Sequence, residues 1–256
     1  MAKPNRREDF LRRERTRNIV ILALIVVAIF VCSTDVFKDF TSHLFGTDKE
    51  ETSASSQEEE ESPNIETGDL TVYCIDVEDG TSTLIRVPEG DGTRDILIDA
   101  GDSESSDKLL GRLEKLGISY IDTVICAHKD SSSSGGMSSV LENFTVRSFY
   151  VSGSDSDDSS ELSEDINLAA ASRQLRIQYI DSGSSLEFGD AVLSFTSDGS
   201  STDLDYSLEY NGCVLSFTGD PESCVSTADE SFSTADSGII TITIDDSGAI
   251  KTETSK

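Results

Sequence analysis

The sequence predicts an α/β (α+β) domain, with helices outside a mixed sheet or pair of sheets, set behind one N-terminal apolar segment. Three observations lead there. Short runs rich in Ile, Val and Leu recur from residue 70 onward, bounded by Gly, Asp and Ser. Helical periodicity appears between several of them. The charge of −29 is unevenly divided along the 256 residues. Residues 1–17 carry seven basic and three acidic side chains; residues 18–68 carry two and ten; residues 69–256 carry eleven and 36.

From Asp69 the elements read in order. LTVYCIDV (70–77), STLIRVP (82–88) and DILIDAG (95–101) are strands between Gly/Asp turns. DKLLGRLEKLGI (107–118) is a helix whose apolar stripe is Leu109, Leu110, Leu113 and Leu116, stopped by Gly117. IDTVICAH (121–128) is nearly continuous in apolar residues, as expected of a strand buried on both faces. A Ser/Gly loop leads to a helix through Met137, Val140 and Leu141, and then to the strand VRSFYVSG (146–153). An acidic loop from residue 154 precedes a helix around Ile166 to Leu175. Residues 177–198 read as strands, with turns at Ser182–Ser184 and Gly189–Asp190. SLEYNGCVLSFTGD (207–220) is a hairpin with Asn211-Gly212 at its tip, the strongest short turn signal in the chain. GIITITIDDSGAIKTE (238–253) is a last hairpin.

The front of the chain reads differently. Asn18 to Thr34 is uncharged, 17 residues between Arg17 and Asp35. As a helix it is about 25 Å long, near the lower limit for crossing a bilayer. Basic residues precede it and acids follow. The expected order is a basic cytoplasmic tail (1–17), a transmembrane signal anchor (18–34), an acidic Ser/Glu-rich stalk (35–68) and an extracytoplasmic domain (69–256). The apolar run ends in Phe-Val-Cys-Ser without a small-residue cleavage site, and Val31 before Cys32 speaks against a lipoprotein. Phe37, Phe40 and Phe45 suit a membrane interface, with His43 among them facing solvent.

Composition excludes several functions. An acidic domain repels DNA rather than gathering it, so nucleic acid is not an expected partner. Two histidines cannot build a multi-His metal site unless carboxylates or thiolates fill in. The five cysteines show no C-x-x-C spacing. Cys74, Cys126 and Cys213 lie in apolar strand runs, and a Cys213–Cys224 bridge is left open. Asp155, Asp157, Asp158, Glu161, Glu164 and Asp165 lack EF-hand spacing and read as a solvated acidic stretch.

Taken in order, LTVYCIDVEDGTSTLIRVPEG, DILIDAGD, LEKLGISYIDTVICAH, SSGGM, VLENFTVRSFYVSG, SLEFGDAVLSF and SLEYNGCVLSFTGDPE resemble the metallo-β-lactamase fold, and within it the ComEC-type extracellular domain and its stand-alone relatives. The resemblance covers roughly residues 69–225 and implies an αββα sandwich with metals at the loop ends between two sheets. The family's motif is His-x-His-x-Asp-His followed by x-Gly-Gly. The matching stretch is His128-Lys129-Asp130-Ser131-Ser132-Ser133-Ser134-Gly135-Gly136. Gly135 and Gly136 fix the register. His128 matches the first His, Asp130 stands for the second, Ser132 replaces the Asp and Ser133 the third His. Thr218-Gly219-Asp220 matches a later Thr-Gly-Asp; the family's His-His-Gly-Ser-like turn after it is missing. Asp205 occupies a position usually held by Asn or another polar residue.

His128, Asp130 and Asp220 are therefore the potential metal ligands, and the expectation is a degenerate motif that binds no metal. If a cofactor binds, it is one divalent Zn, Mn or Fe on one His and two carboxylates. The plain readings stand beside this one. His128 is a strand-end hydrogen-bonding residue. Asp76, Asp99 and Asp220 are turn-capping carboxylates. Ser131–Ser134 is a flexible filled-in loop. Two functions follow. The first is a membrane-anchored, non-enzymatic domain that binds a protein or small-molecule ligand. The second is a weak ComEC-like metal-dependent hydrolase of the phosphodiesterase or nuclease class. A DNA-uptake role fits poorly, since ComEC couples such a domain to many membrane helices and this chain has one.

Overall fold

A computed structural model of the chain describes residues 68–255, apart from 79, 91, 154–161, 198–202, 221–224, 228 and 229. The expected tail, anchor and stalk lie outside the described residues, as do Cys224 and most of the acidic loop. No helix among the described residues is long and apolar enough to cross a membrane.

The first sheet has eight strands among the described residues. They are β1 (Leu70–Cys74), β2 (Thr83–Glu89), β3 (Gly92–Ile98), β4 (Tyr120–Cys126), β5 (Thr145–Ser152), β6 (Ile177–Ile180), β13 (Ile240–Ile244) and β14 (Ile250–Thr254). Their spatial order is β14-β13-β1-β2-β3-β4-β5-β6. From β3 to β6 the pairing is parallel, and the rest is antiparallel. The parallel half exists because helices intervene in sequence: α1 (Ser106–Lys115), then α2 (Ser131–Ser134) and α3 (Met137–Asn143), then α4 (Glu164–Ser172). The second sheet runs β12-β11-β10-β9-β8-β7 and is antiparallel. It comprises β7 (Ser185–Phe188), β8 (Ala191–Thr196), β9 (Asp205–Tyr210), β10 (Cys213–Phe217), β11 (Val225–Ser226) and β12 (Ser231–Phe232). A short α5 (Thr234–Ser237) returns the chain to β13.

Strand alternation sorts side chains into two cores. Leu70, Val72 and Cys74 of β1 join Ile85, Ile96, Ile242 and the inward residues of the second sheet, among them Leu193, Leu208, Leu215 and Phe217. Tyr73, Leu84, Leu97, Val124 and Phe149 point the other way, onto Leu109 and Leu113 of α1, Val140 and Leu141 of α3, and Ile166 of α4. β1 and the C-terminal halves of β3 and β4 are buried on both faces, which explains their apolar runs. Ser163 caps α4 by accepting from the Ile166 N–H at 3.4 Å. The predicted hairpin is present, with Asn211 and Gly212 at φ 49° and 78° between Tyr210 and Cys213.

The described residues thus supply three layers, α–β–β. A second helical layer, expected from an αββα sandwich, is not among them. Most outward residues of the second sheet suit this arrangement: Glu187, Thr196, Asp205, Glu209 and Ser216 are exposed and polar, though Val214 is exposed as well. β11, β12 and α5 are too short to announce themselves in the sequence.

Candidate functional site

The C-terminal ends of parallel strands β3 and β4 carry Asp99 and His128 to one rim of the sheet, where α/β proteins commonly place their sites. Asp99 adopts φ 58°, an uncommon conformation for a residue with a side chain. Its backbone is fixed by a bond to the Ile125 carbonyl at 2.9 Å. One carboxylate oxygen accepts from the N–H groups of Ala127 (2.9 Å) and His128 (3.1 Å). The other lies 2.7 Å from His128 Nδ1. Both residues are buried, at 1% and 6% exposure, so their polar atoms depend on each other.

Burial works against a charge on His128. The Asp99 carboxylate outweighs it by charge and by hydrogen bond, with Asp203 and Asp130 adding to the pull, and the His128 pKa rises to about 9. At neutral pH His128 is held as the imidazolium. The sign of the linkage follows. His128 stabilises the fold fully below its unfolded value near ~6.5, and that contribution is lost as pH rises through about 9. Melting temperatures of wild type and His128→Gln should therefore differ most near pH 6 and converge toward pH 10. A constant gap across that range would contradict the pairing.

The third side of His128 is backbone. A Cβ on Gly219 would stand 2.6 Å from the ring's Cδ2 and 2.7 Å from Nε2, so only glycine lets this segment lie on the imidazole. Thr218-Gly219-Asp220 does return to His128, but through Gly219. Asp220 itself is exposed, and its N–H donates to Thr218 Oγ1 at 3.4 Å. Behind the ring, the Lys129 N–H donates to Asp203 Oδ1 at 3.0 Å, and the Leu204 N–H donates to the Ala127 carbonyl at 3.0 Å.

Asp130 is committed to a different task. It caps α2: its Oδ1 accepts from the N–H groups of Ser132 and Ser133, each at 3.0 Å, and from the Ser132 hydroxyl. Partial burial pushes its pKa up, but these donors prevail and hold it below the usual carboxylate range. This corrects the reading of Ser131–Ser134 as a flexible loop. They form a capped helical turn, with Ser133 and Ser134 buried. The turn is tied down by bonds from Ala100 N to the Ser133 carbonyl (2.8 Å) and from Gly136 N to the Gly101 carbonyl (2.9 Å).

A divalent metal held as the motif implies needs several anionic or imidazole donors converging on one point. Of the expected ligands, His128 is paired with Asp99, Asp130 spends one oxygen on its own helix, and Asp220 is exposed; Ser132 and Ser133, at the replaced motif positions, bring neutral hydroxyls. No group of three or more His, Cys, Asp or Glu among the described residues is placed to hold a metal ion. The residues present do not fit the dinuclear centre of the motif.

Two participants escaped the sequence reading. In the sequence Asp99 reads as a turn cap, and its one signal is the Asp-Ala-Gly that ends an apolar strand. Asp203 has no signal in its Ser/Asp-rich surroundings, whereas Asp205, which the resemblance singles out, is exposed at the start of β9. The cysteines play small parts. Cys74, Cys126 and Cys213 form no disulfide among the described residues. Cys126 Sγ donates to the His128 carbonyl (3.4 Å), its thiol pKa raised by burial, and Cys213 Sγ donates to the Gly248 carbonyl (2.7 Å).

No family model matches the sequence, and no curated protein is significantly similar to it. Solved structures similar to the chain include two metallo-β-lactamases and a metallo-β-lactamase fold protein. A HARLDQ-motif variant of the metallo-β-lactamase from Cronobacter sakazakii is 20% identical, with a TM-score of 0.42 over 55% of this chain and 57% of that one. The metallo-β-lactamase fold protein YhfI from Bacillus subtilis is 15% identical, with a TM-score of 0.43 over 59% and 63%. The native FEZ-1 metallo-β-lactamase from Legionella gormanii is 18% identical, with a TM-score of 0.42 over 59% and 60%. The chain spans less than two thirds of the length of each.

Proposed function

We propose that this domain is a degenerate metallo-β-lactamase-type module that binds a protein or small-molecule ligand and performs no metal-dependent hydrolysis. One observation carries the reading. At the register marked by Gly135 and Gly136, the ligand positions have been turned to structural use, Asp130 as the cap of α2 and His128 as the partner of Asp99. A water-activating metal lacks both its donors and the carboxylate that would orient the water, where Ser132 stands. Function has to be argued from the site, and here the site has become part of the scaffold.

In this proposal residues 18–34 anchor the chain with its N-terminus in the cytoplasm, and the acidic stalk holds the module outside the membrane. The proposal places the module in the ComEC-type branch that its motifs resemble. A mature N-terminus beginning after residue 33 would overturn the anchor.

A second reading has its own support. A carboxylate on Nδ1 is the arrangement that, in metal sites, orients an imidazole to ligate through Nε2. A weak hydrolase using His128, Asp130 and Asp220 with one Zn, Mn or Fe is the alternative. Metal analysis of the purified chain separates the two. The expected result is substoichiometric metal, unchanged by His128→Ala or Asp220→Ala, and no turnover of a generic phosphodiester with added Mn²⁺. Stoichiometric metal lost in both variants would establish the hydrolase instead.

A further inference from the structure

The edge of the first sheet carries an inference independent of the proposed function. β14 pairs with β13 on one side, and among the described residues no strand pairs with it on the other. Hydrogen-bond phase determines which of its backbone groups face outward. The Ser255 N–H donates inward to the Ile239 carbonyl at 3.0 Å, and the Ala249 carbonyl accepts from the Asp245 N–H at 3.2 Å. Because the direction alternates along a strand, odd-numbered residues bond toward β13, and Ile250, Thr252 and Thr254 present N–H and C=O to the open edge.

The side chains are self-complementary about the middle of that set. Lys251 and Glu253 flank Thr252 on one face of the strand and are exposed. Within one chain they pair with each other, Lys251 Nζ to Glu253 Oε1 at 2.6 Å. When an identical strand is laid antiparallel with Thr252 opposite Thr252, each Lys251 falls opposite the Glu253 of the second copy, and Ile250 falls opposite Thr254. Several registers satisfy the outward backbone groups, and this is the one among them that also opposes the unlike charges. Lysine on an edge strand ordinarily discourages pairing. Here a glutamate two residues on turns it into a matched contact for one partner, a second copy in this register.

We propose that β14 is a homodimerisation edge, at which two copies of the chain join antiparallel about Thr252 into one continuous sheet. Five residues a side make a small contact and both domains are acidic. The association is therefore weak and needs an ionic strength at which the Debye length is short, about 8 Å at physiological salt.

The test is oxidative cross-linking of the full-length chain carrying Thr252→Cys, purified in mild detergent at physiological salt. Opposed residues of a hydrogen-bonded antiparallel pair stand about 5.5 Å apart at Cα, within disulfide range. The expected result is a cross-linked dimer well above the wild-type background. Adding Lys251→Glu, or separately Glu253→Lys, should weaken association roughly five- to ten-fold, since two symmetry-related pairs become like-charged. Mixing the two charge variants, or combining both changes in one chain, should restore it. No dimer above background overturns the proposal, and so does a yield that neither reversal changes.

Discussion

Replacing Asp99 with alanine should lower the stability of the domain by about 3–5 kcal/mol at pH 7, the scale for breaking one side of a buried charge pair. The carboxylate answers three donors at once, the N–H groups of Ala127 and His128 and the His128 ring. Its removal strands all three donors away from water and takes away the largest of the charges that hold the proton on His128. Asp99→Asn should fall between the two: an amide oxygen still accepts from the backbone, but the charge that raises His128 is gone. Urea melts of the three proteins, repeated at pH 6 and pH 9, check this. The alanine variant should lose the pH dependence assigned to His128. A loss below about 1 kcal/mol would mean that the pair is not what closes this rim.

Gly80→Ala should be comparably damaging for a different reason. A Cβ there would lie 1.8 Å from the Ser132 carbonyl oxygen and 2.4 Å from its carbon, which are main-chain atoms that cannot rotate away. Gly80 also has φ 83°. Gly212→Ala is the control, because Gly212 has a similar φ of 78° and nothing within 4 Å of the added atom. The control should lose only the conformational penalty, about 1 kcal/mol. The Gly80 variant should lose about 3 kcal/mol or more, since α2 must separate from the loop after β1. Hydrogen exchange at the Ser133 amide should rise only in the Gly80 variant. Equal losses in the two variants would refute the close approach.

These two expectations mark where sequence reading succeeded and where it stopped. Strands and long helices were legible, because burial on both faces of β1 or β4 leaves an apolar run and burial on one face of α1 leaves a stripe. Gly135 and Gly136 set the register of the site from the sequence alone, since backbone crowding there leaves room for nothing larger. The fate of the polar residues was not legible. Asp130 and four serines look the same on paper whether they form a loose loop or a capped turn; the difference lies in the Asp130 oxygen that meets two N–H groups. Asp99 and His128 stand far apart in the chain, and only the parallel pairing of β3 with β4 brings them together. The outer face of the second sheet, which no helix among the described residues covers, follows the same logic. Its strands alternate well, but alternation says only that one side is wet.

The pairing of β1 with β13 has a consequence in time. Leu70 lies opposite Ile244 and Cys74 opposite Ile240, so one of the first strands of the domain to be synthesised waits for nearly the last. All five residues of β1 are buried in the finished protein. While the ribosome is still making residues 75–239, one side of LTVYC has no neighbour, and the entropy of closing so long a loop delays its arrival. The nascent chain therefore carries a bare, apolar sheet edge for most of its synthesis. That is the interval in which the domain is most open to aggregation or to capture by a chaperone.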